Sequence, residues 1–239
     1  MSSTKRSEAL FRHDDLPLPV EIRGVRGARR LRLRVDERRG LLKLTGPLRM
    51  NRKAALDWAA GQREWVEAQI GSIPPAEPFS PGSRIPLEGE DVELFWDETA
   101  GRTARLDGQR LICGGPAEGF ARRIELFLRR RALETLSRET AEIADRAGVT
   151  VRSVSVGDAD TRWGSCSSAG RIRYSWRLIL APPAVRRYVV AHEVAHMRHL
   201  NHGAEFKALE RELFGGDADA ARLLLRRVGG RLKRIGRGG

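Results

Sequence analysis

The sequence predicts an α+β fold, a small antiparallel sheet beside a metal-carrying helix, preceded by a small strand-rich N-terminal region. Three observations predict it. Apolar and polar residues alternate with the period of a strand over parts of 17–47, 84–113, 151–156 and 172–180. Helical spacing governs 117–146 and most of the chain after Pro182. Four of the five histidines fall between positions 192 and 202, inside one of those helical stretches.

Taken in order, residues 1–16 read as a flexible leader without the apolar stretch of a signal peptide. Leu31, Leu33 and Val35 then alternate with Arg30, Arg32 and Arg34, and Gly40 and Gly46-Pro47 punctuate the strands. One helix is expected over 52–71, with Ala55, Trp58, Ala59, Trp65, Val66 and Ile70 on its buried face. The proline-rich stretch 73–82 is a connector. Short strands follow over 84–113, with turns at Glu88-Gly89 and Asp107-Gly108. A long helix over 117–146 buries Phe120, Ile124, Phe127, Leu136 and Ile143, and Gly148 stops it. Strands are expected at 151–156 and 172–180, the second alternating Ile172, Tyr174, Trp176, Leu178 and Leu180 with Arg173, Ser175 and Arg177. Pro182-Pro183 opens a helix running to about Leu200, and two short helices, 203–214 and 217–228, complete the chain. The expected organisation is thus a leader (1–16), a strand-rich region with one helix (17–113), a metal-site domain (114–229) and a basic tail (230–239), with no internal repeat.

The 239 residues, 41% of them apolar, suffice for a substantial core without staples. Two distant cysteines, Cys113 and Cys166, do not make a disulfide framework and favour a reducing compartment. No run approaches the ~18–20 apolar residues that span a bilayer, so the expectation is a soluble, cytoplasmic protein without a membrane partner. The net charge of +13 suits an acidic partner. Seven basic and no acidic residues lie in 222–239, and Arg29, Arg30, Arg32, Arg34, Arg38 and Arg39 form a second concentration. Nucleic acid is therefore a possible partner, although no aromatic stacking pattern accompanies the arginines.

His192-Glu193-Val194-Ala195-His196 carries the chemistry. Histidines four apart on a helix project from one face and can share one metal, and Glu193 can orient a water there as general base. This is the zincin pattern, and it implies one Zn2+ ion. The flanking Tyr188, Val189, Val190, Ala191, Val194 and Ala195 suit a buried helix better than a solvated one. A catalytic zinc takes three protein ligands and leaves a place for water. His199 lies ~4.5 Å further along an unbroken helix than His196, which carries it away from the metal. His202 is favoured as third ligand, because Asn201 and Gly203 can end the helix and turn the chain back. Glu205, Glu210 and Glu212 are its rivals, and Asp158, Asp160, Glu205 and Glu210 are the carboxylates available to support the ligands.

Three stretches together resemble the YgjP-type family of zinc metallopeptidases. They are Arg162-Trp-Gly-Ser-Cys166, Leu180-Ala-Pro-Pro183, and Tyr188 to His202 with its His-Glu-Val-Ala-His core and Asn-His ending. The resemblance is close over about 160–210 and looser toward the N-terminus, and Val194 stands where the family commonly has leucine. It implies a zincin-like metallopeptidase domain with ligands His192, His196 and His202, base Glu193, and a protein or peptide substrate.

Gly164-Ser165-Cys166 invites a nucleophile, but no separate base is indicated and metal-activated water needs none. Arg162 or Tyr174 is a candidate to stabilise the oxyanion. Trp163 and Trp176 read as core. The strand 172–180 is expected to line the cleft, where an extended peptide could add to it. The alternative function is a nucleic-acid-associated protein that processes DNA-bound proteins; a zinc scaffold without turnover would not need Glu193.

Overall fold

The computed structural model describes residues 9–37, 39–159 and 161–238. The chain forms two compact units, Met1–Pro74 and Pro75–Gly239, each with its own apolar core.

In the first unit, β1 (Leu10–Phe11), β2 (Val20–Val25), β3 (Arg32–Asp36) and β4 (Leu41–Pro47) form a sheet of order β1-β2-β4-β3. Two helices follow, α1 (Arg52–Ala60) and α2 (Arg63–Gly71). Asn51 caps α1 by accepting the Ala54 N–H at 3.2 Å. The single helix expected over 52–71 is interrupted at Gly61-Gln62. Ala55, Ala59 and Val66 are buried as expected, whereas Trp58 and Trp65 are 38% and 41% exposed. Small side chains at 55 and 59 let α1 lie close on its neighbours, which sends the bulky indoles to the flanks. Of the expected leader, residues 1–8 lie outside the described residues, while Leu10 and Phe11 pair with β2 and Leu16 joins the core.

The second unit opens with β5 (Arg84–Leu87), β6 (Glu90–Trp96), β7 (Arg105–Asp107) and β8 (Arg110–Cys113), in the order β5-β6-β8-β7. Those strands, expected to belong with the N-terminal region, instead share the core of α3 (Phe120–Ala147). The boundary falls within the proline-rich connector, between Pro74 and Pro75. The two four-stranded sheets also repeat one connectivity. In each, the first pair is antiparallel, the second and fourth strands are parallel, and the third is antiparallel to the fourth. The sequence reading found no repeat. The surviving trace is short, a Gly-Pro that ends β4 (Gly46-Pro47) and one just past β8 (Gly115-Pro116), each on the way to a helix.

Helix α3 buries Phe120, Ile124, Leu128, Ala132, Leu136 and Ile143 and ends at Gly148, whose φ of +61° is the left-handed cap that glycine supplies without strain. Next come β9 (Ser153–Gly157), β10 (Gly164–Cys166) and β11 (Arg171–Ser175), in the order β10-β11-β9. The pair β10/β11 is antiparallel, β11/β9 parallel. The strand expected over 172–180 stops at Ser175, and Trp176–Leu180 turns as a 3-10 helix with all five residues buried. The alternation misled because Arg177 is not on a solvent face. It is 3% exposed, donates to Asp158 at 2.9 Å, and caps the carbonyls of Leu232 and Ile235.

Three helices complete the unit: α4 (Pro183–Ala195), α5 (Ala204–Phe214) and α6 (Ala218–Arg234). The expected end of α4 near Leu200 lies five residues too far, and α6 outruns its expected end at 228. The presumed basic tail is therefore helix over 230–234, and Gly229, Leu232 and Ile235 are buried in α6 or at its end.

Candidate metal centre

Helix α4 is buried along most of its length, which puts His192 and His196 at the boundary between core and solvent and leaves Glu193 only 5% exposed. The chain leaves the helix at once after His196. Met197 and Arg198 close tight turns onto Val194 and Ala195, and the His196 Nδ1–H donates to the His199 carbonyl at 3.1 Å. That ring-to-backbone bond belongs to a turn, not to a continuing helix. Gly203 then enters α5 in extended conformation, and the excursion returns His202 to the two helical histidines.

The ligand atoms of His192, His196 and His202 lie within 4.8 Å of one another. His192 Nε2 and His202 Nε2 are 3.3 Å apart. Nitrogens bound tetrahedrally to zinc at ~2.0–2.1 Å stand about 3.4 Å apart, so the pair already has the spacing of two ligands. Each helical imidazole uses Nδ1 for support: His192 donates to Glu210 Oε1 at 2.6 Å, His196 to the His199 carbonyl. Both are thereby oriented with Nε2 free for a cation, the arrangement that fixes tautomer and ring direction in metal sites. Burial lowers the His196 imidazole below its ordinary range, and His192 and His202 press the same way. A neutral ring is the ligating form. On donor type, number and spacing, the three histidines fit one zinc-like ion.

Phe206 is the floor of the site. It is 1% exposed and its ring lies 5.0, 4.6 and 4.7 Å from the rings of His192, His196 and His202. Glu210 sits one turn further along α5, so one helix face supplies both the apolar floor and the supporting carboxylate. Glu210 is itself buried and held by Tyr188 as well as His192, and with Arg222 these outweigh the effect of burial and keep the carboxyl below its ordinary range. Tyr188 is pushed up to about 12, by burial first and by Glu210 second. Burial pushes the Glu193 carboxyl up to about 7 against the opposing influence of His192 and Arg162. A carboxylate in that range suits proton transfer near neutrality.

Glu193 lies against Gly164, the first residue of β10. A Cβ there would collide with Glu193 Oε1, so the glycine of the Arg-Trp-Gly-Ser-Cys stretch makes room for the carboxylate. Arg162 is exposed at the approach to that strand. Tyr174 is 1% exposed, with its hydroxyl 3.0 Å from Thr140 Oγ1 in the core. Cys166 touches the Met197 sulfur at 3.4 Å and stands outside the histidine cluster, and burial raises its thiol. Glu205, 85% exposed, faces His199 at 3.5 Å, and Glu212 is exposed. Asp158 pairs with Arg177 and Arg237; Asp160 lies outside the described residues. Trp163 is partly buried and packs on Gly229, and Trp176 is fully buried in the core. Sequence reasoning missed Tyr188, Phe206 and Gly164 as parts of the centre. The spacing of Phe206 and Glu210 on one face of α5 was the available signal for two of the partners.

In comparisons with known proteins, a family model described as the YgjP-like metallopeptidase domain matches residues 29–227. Among curated proteins none matches the chain. Among solved structures, the chain is similar to the metallopeptidase zymogen of Pyrococcus abyssi, abylysin, at 18% identity and a TM-score of 0.36, over 42% of this chain and 97% of that one. The family match takes in the elements that bring the three histidines and Glu193 together and extends well beyond them in both directions, and on it this chain belongs to the YgjP-like metallopeptidase family and is a metal-dependent hydrolase.

Proposed function

We propose that this metallopeptidase is a zinc peptidase of the HExxH-x5-H type, in which His192, His196 and His202 hold one Zn2+ and Glu193 is the general base. The convergence of three supported imidazoles beside a buried carboxylate carries the reading. Zinc, when bound, supplies a Lewis acid that polarises the scissile carbonyl and acidifies water. Glu193 takes the proton of the attacking water and delivers it to the leaving amine. Glu210, braced by Tyr188, holds the His192 ring in place. Arg162 approaches Glu193 from the solvent side, where a guanidinium can offset charge growing on the carbonyl oxygen. Tyr174 acts from behind the sheet, positioning it through Thr140.

An extended substrate can add to this sheet only at an edge strand. Strand β11 is paired on both sides, so the edge nearest Glu193 belongs to β10. No described helix is long and apolar enough to cross a membrane, and two free cysteines fit a reducing compartment such as the cytoplasm. The test is a pair of variants. Glu193→Gln should retain stoichiometric zinc and lose peptide hydrolysis by at least ~100-fold, whereas His196→Ala should lose both. A glutamine variant with full zinc and full turnover would sink the assigned role.

A further inference from the structure

The outer face of the three-stranded sheet is made of arginine and serine. Residues opposite one another across paired strands point to the same side. Arg173 lies between Ser155 of β9 and Ser165 of β10, and Arg171 lies opposite Ser153. The outward row of β11 is thus arginine-arginine, flanked by serines on both sides, with Ile172 and Tyr174 turned to the core. Arg162 stands at the end of this face that adjoins Gly164 and Glu193, and it lines two adjoining clefts that also share Ser165 and Arg173.

Several exposed arginines elsewhere are matched with carboxylates: Arg63 with Glu67, Arg84 with Asp91, Arg131 with Glu88, Arg187 with Glu142, Arg231 with Glu77. Among the described residues, Arg162, Arg171 and Arg173 have no carboxylate partner. The rim carboxylate, Asp158, is committed to Arg177 at 2.9 Å and Arg237 at 3.0 Å. Room is also made for one of the three guanidiniums. A Cβ on Gly157 would stand 2.5 Å from two Arg173 nitrogens. Unpaired guanidiniums interleaved with hydroxyl donors form a receptor for carboxylate or phosphate oxygens.

We infer that this face binds an acidic stretch of the substrate, with carboxylate side chains of an extended peptide on Arg171 and Arg173 and the peptide backbone reaching the metal centre past Arg162. The inference deepens the peptidase reading and rests on it. Arg171 and Arg173 are two residues apart on one strand, a spacing of about 6.6 Å. Alternate side chains of an extended peptide have that same spacing. The arginine and serine rows offer no aromatic ring on which a base could stack, which disfavours single-stranded nucleic acid as the occupant.

The experiment uses the full-length, zinc-loaded Glu193→Gln protein and fluorescent peptides with glutamate at alternate positions, against the same peptides carrying glutamine. A single-stranded oligonucleotide is titrated alongside, and the native chain is assayed for cleavage of both peptides. The glutamate peptide should bind at least ~10-fold more tightly at low salt and lose that advantage as ionic strength rises. Adding Arg171→Gln and Arg173→Gln, both at exposed positions, should abolish the preference and leave glutamine-peptide binding unchanged. Equal binding of the two peptides, or a preference that survives the double variant, overturns the inference. So does an oligonucleotide that binds more tightly than the glutamate peptide and depends on the same two arginines. Cleavage without acidic preference overturns the inference and leaves the peptidase reading standing. Acidic preference in binding with no cleavage of any peptide does the reverse.

Discussion

Glu193 and Glu210 both adjoin the cluster of His192, His196 and His202, and their surroundings differ. Burial dominates at Glu193 and raises its carboxyl to about 7, so it can accept and return a proton near neutral pH. At Glu210 the hydrogen bonds from His192 and Tyr188 win over burial and keep it ionised. Glu210→Ala should therefore leave the fold intact but weaken metal affinity about 10–100-fold, read by competition with a chelator. The same neighbourhood gives Gly164 a chemical function. Gly164→Ala sets a methyl group against the Glu193 carboxylate. The expected outcome is a lower kcat with unchanged zinc content, and an alanine variant as active as the parent would show that Glu193 has space to move. His192, Glu193 and His196 were legible in the sequence because a helix converts a spacing of four directly into a shared face. Tyr188, Phe206 and Gly164 were not, because each meets the site through a partner remote in sequence or opposite in the fold.

Among the elements, the segment after β11 holds the second unit together in a way its pattern conceals. Arg177 is buried in a 3-10 turn, stacks its guanidinium 4.4 Å from the Trp176 ring, pairs with Asp158 and caps carbonyls at the end of α6. Removing one member of a buried pair costs roughly 3–5 kcal/mol, so Arg177→Met should lower the denaturation midpoint far more than a surface arginine change would. The pair also leaves a mark on pH dependence. Burial alone would raise the Asp158 carboxyl, but the guanidiniums, Arg177 foremost, outweigh it and hold it below its ordinary 3.8. Its contribution is fully present above pH 4 and is lost as the pH falls through that lower value. The Arg177→Met variant should show a shallower loss of stability over that acid range than the parent, measured by denaturant titration at successive pH values. The end of α4 is a second case. Helical periodicity continues past His196, yet the His196 ring takes a backbone carbonyl and the chain turns.

For the whole molecule, the three clustered histidines and Glu193 all lie in Pro75–Gly239, a compact unit with an apolar core of its own. We expect that fragment, expressed by itself, to fold cooperatively and bind zinc at the stoichiometry of the full chain. A fragment that fails to bind zinc would mean that the first unit is needed to form the centre. The charge of +13 also looks different once the chain is folded. Arg222, Arg231 and Arg237, which belong to the basic concentration over 222–239, pair with Asp219, Glu77 and Asp158. Arg162, Arg171 and Arg173, which belong to neither linear cluster of charge, come together on the outer face of the three-stranded sheet without a carboxylate partner. By itself the sequence determined the α+β class, the long helix and its glycine stop, and the helix that carries His192 and His196, because these follow from periodicity and from spacing within one element. Only the tertiary structure decided the unit boundary, the repeated sheet connectivity, the support given by Glu210 and Tyr188, and the inward turn of Arg177. Those depend on which distant residues meet, and whether a polar side chain faces water or a buried partner is set by that meeting rather than by its place in the pattern.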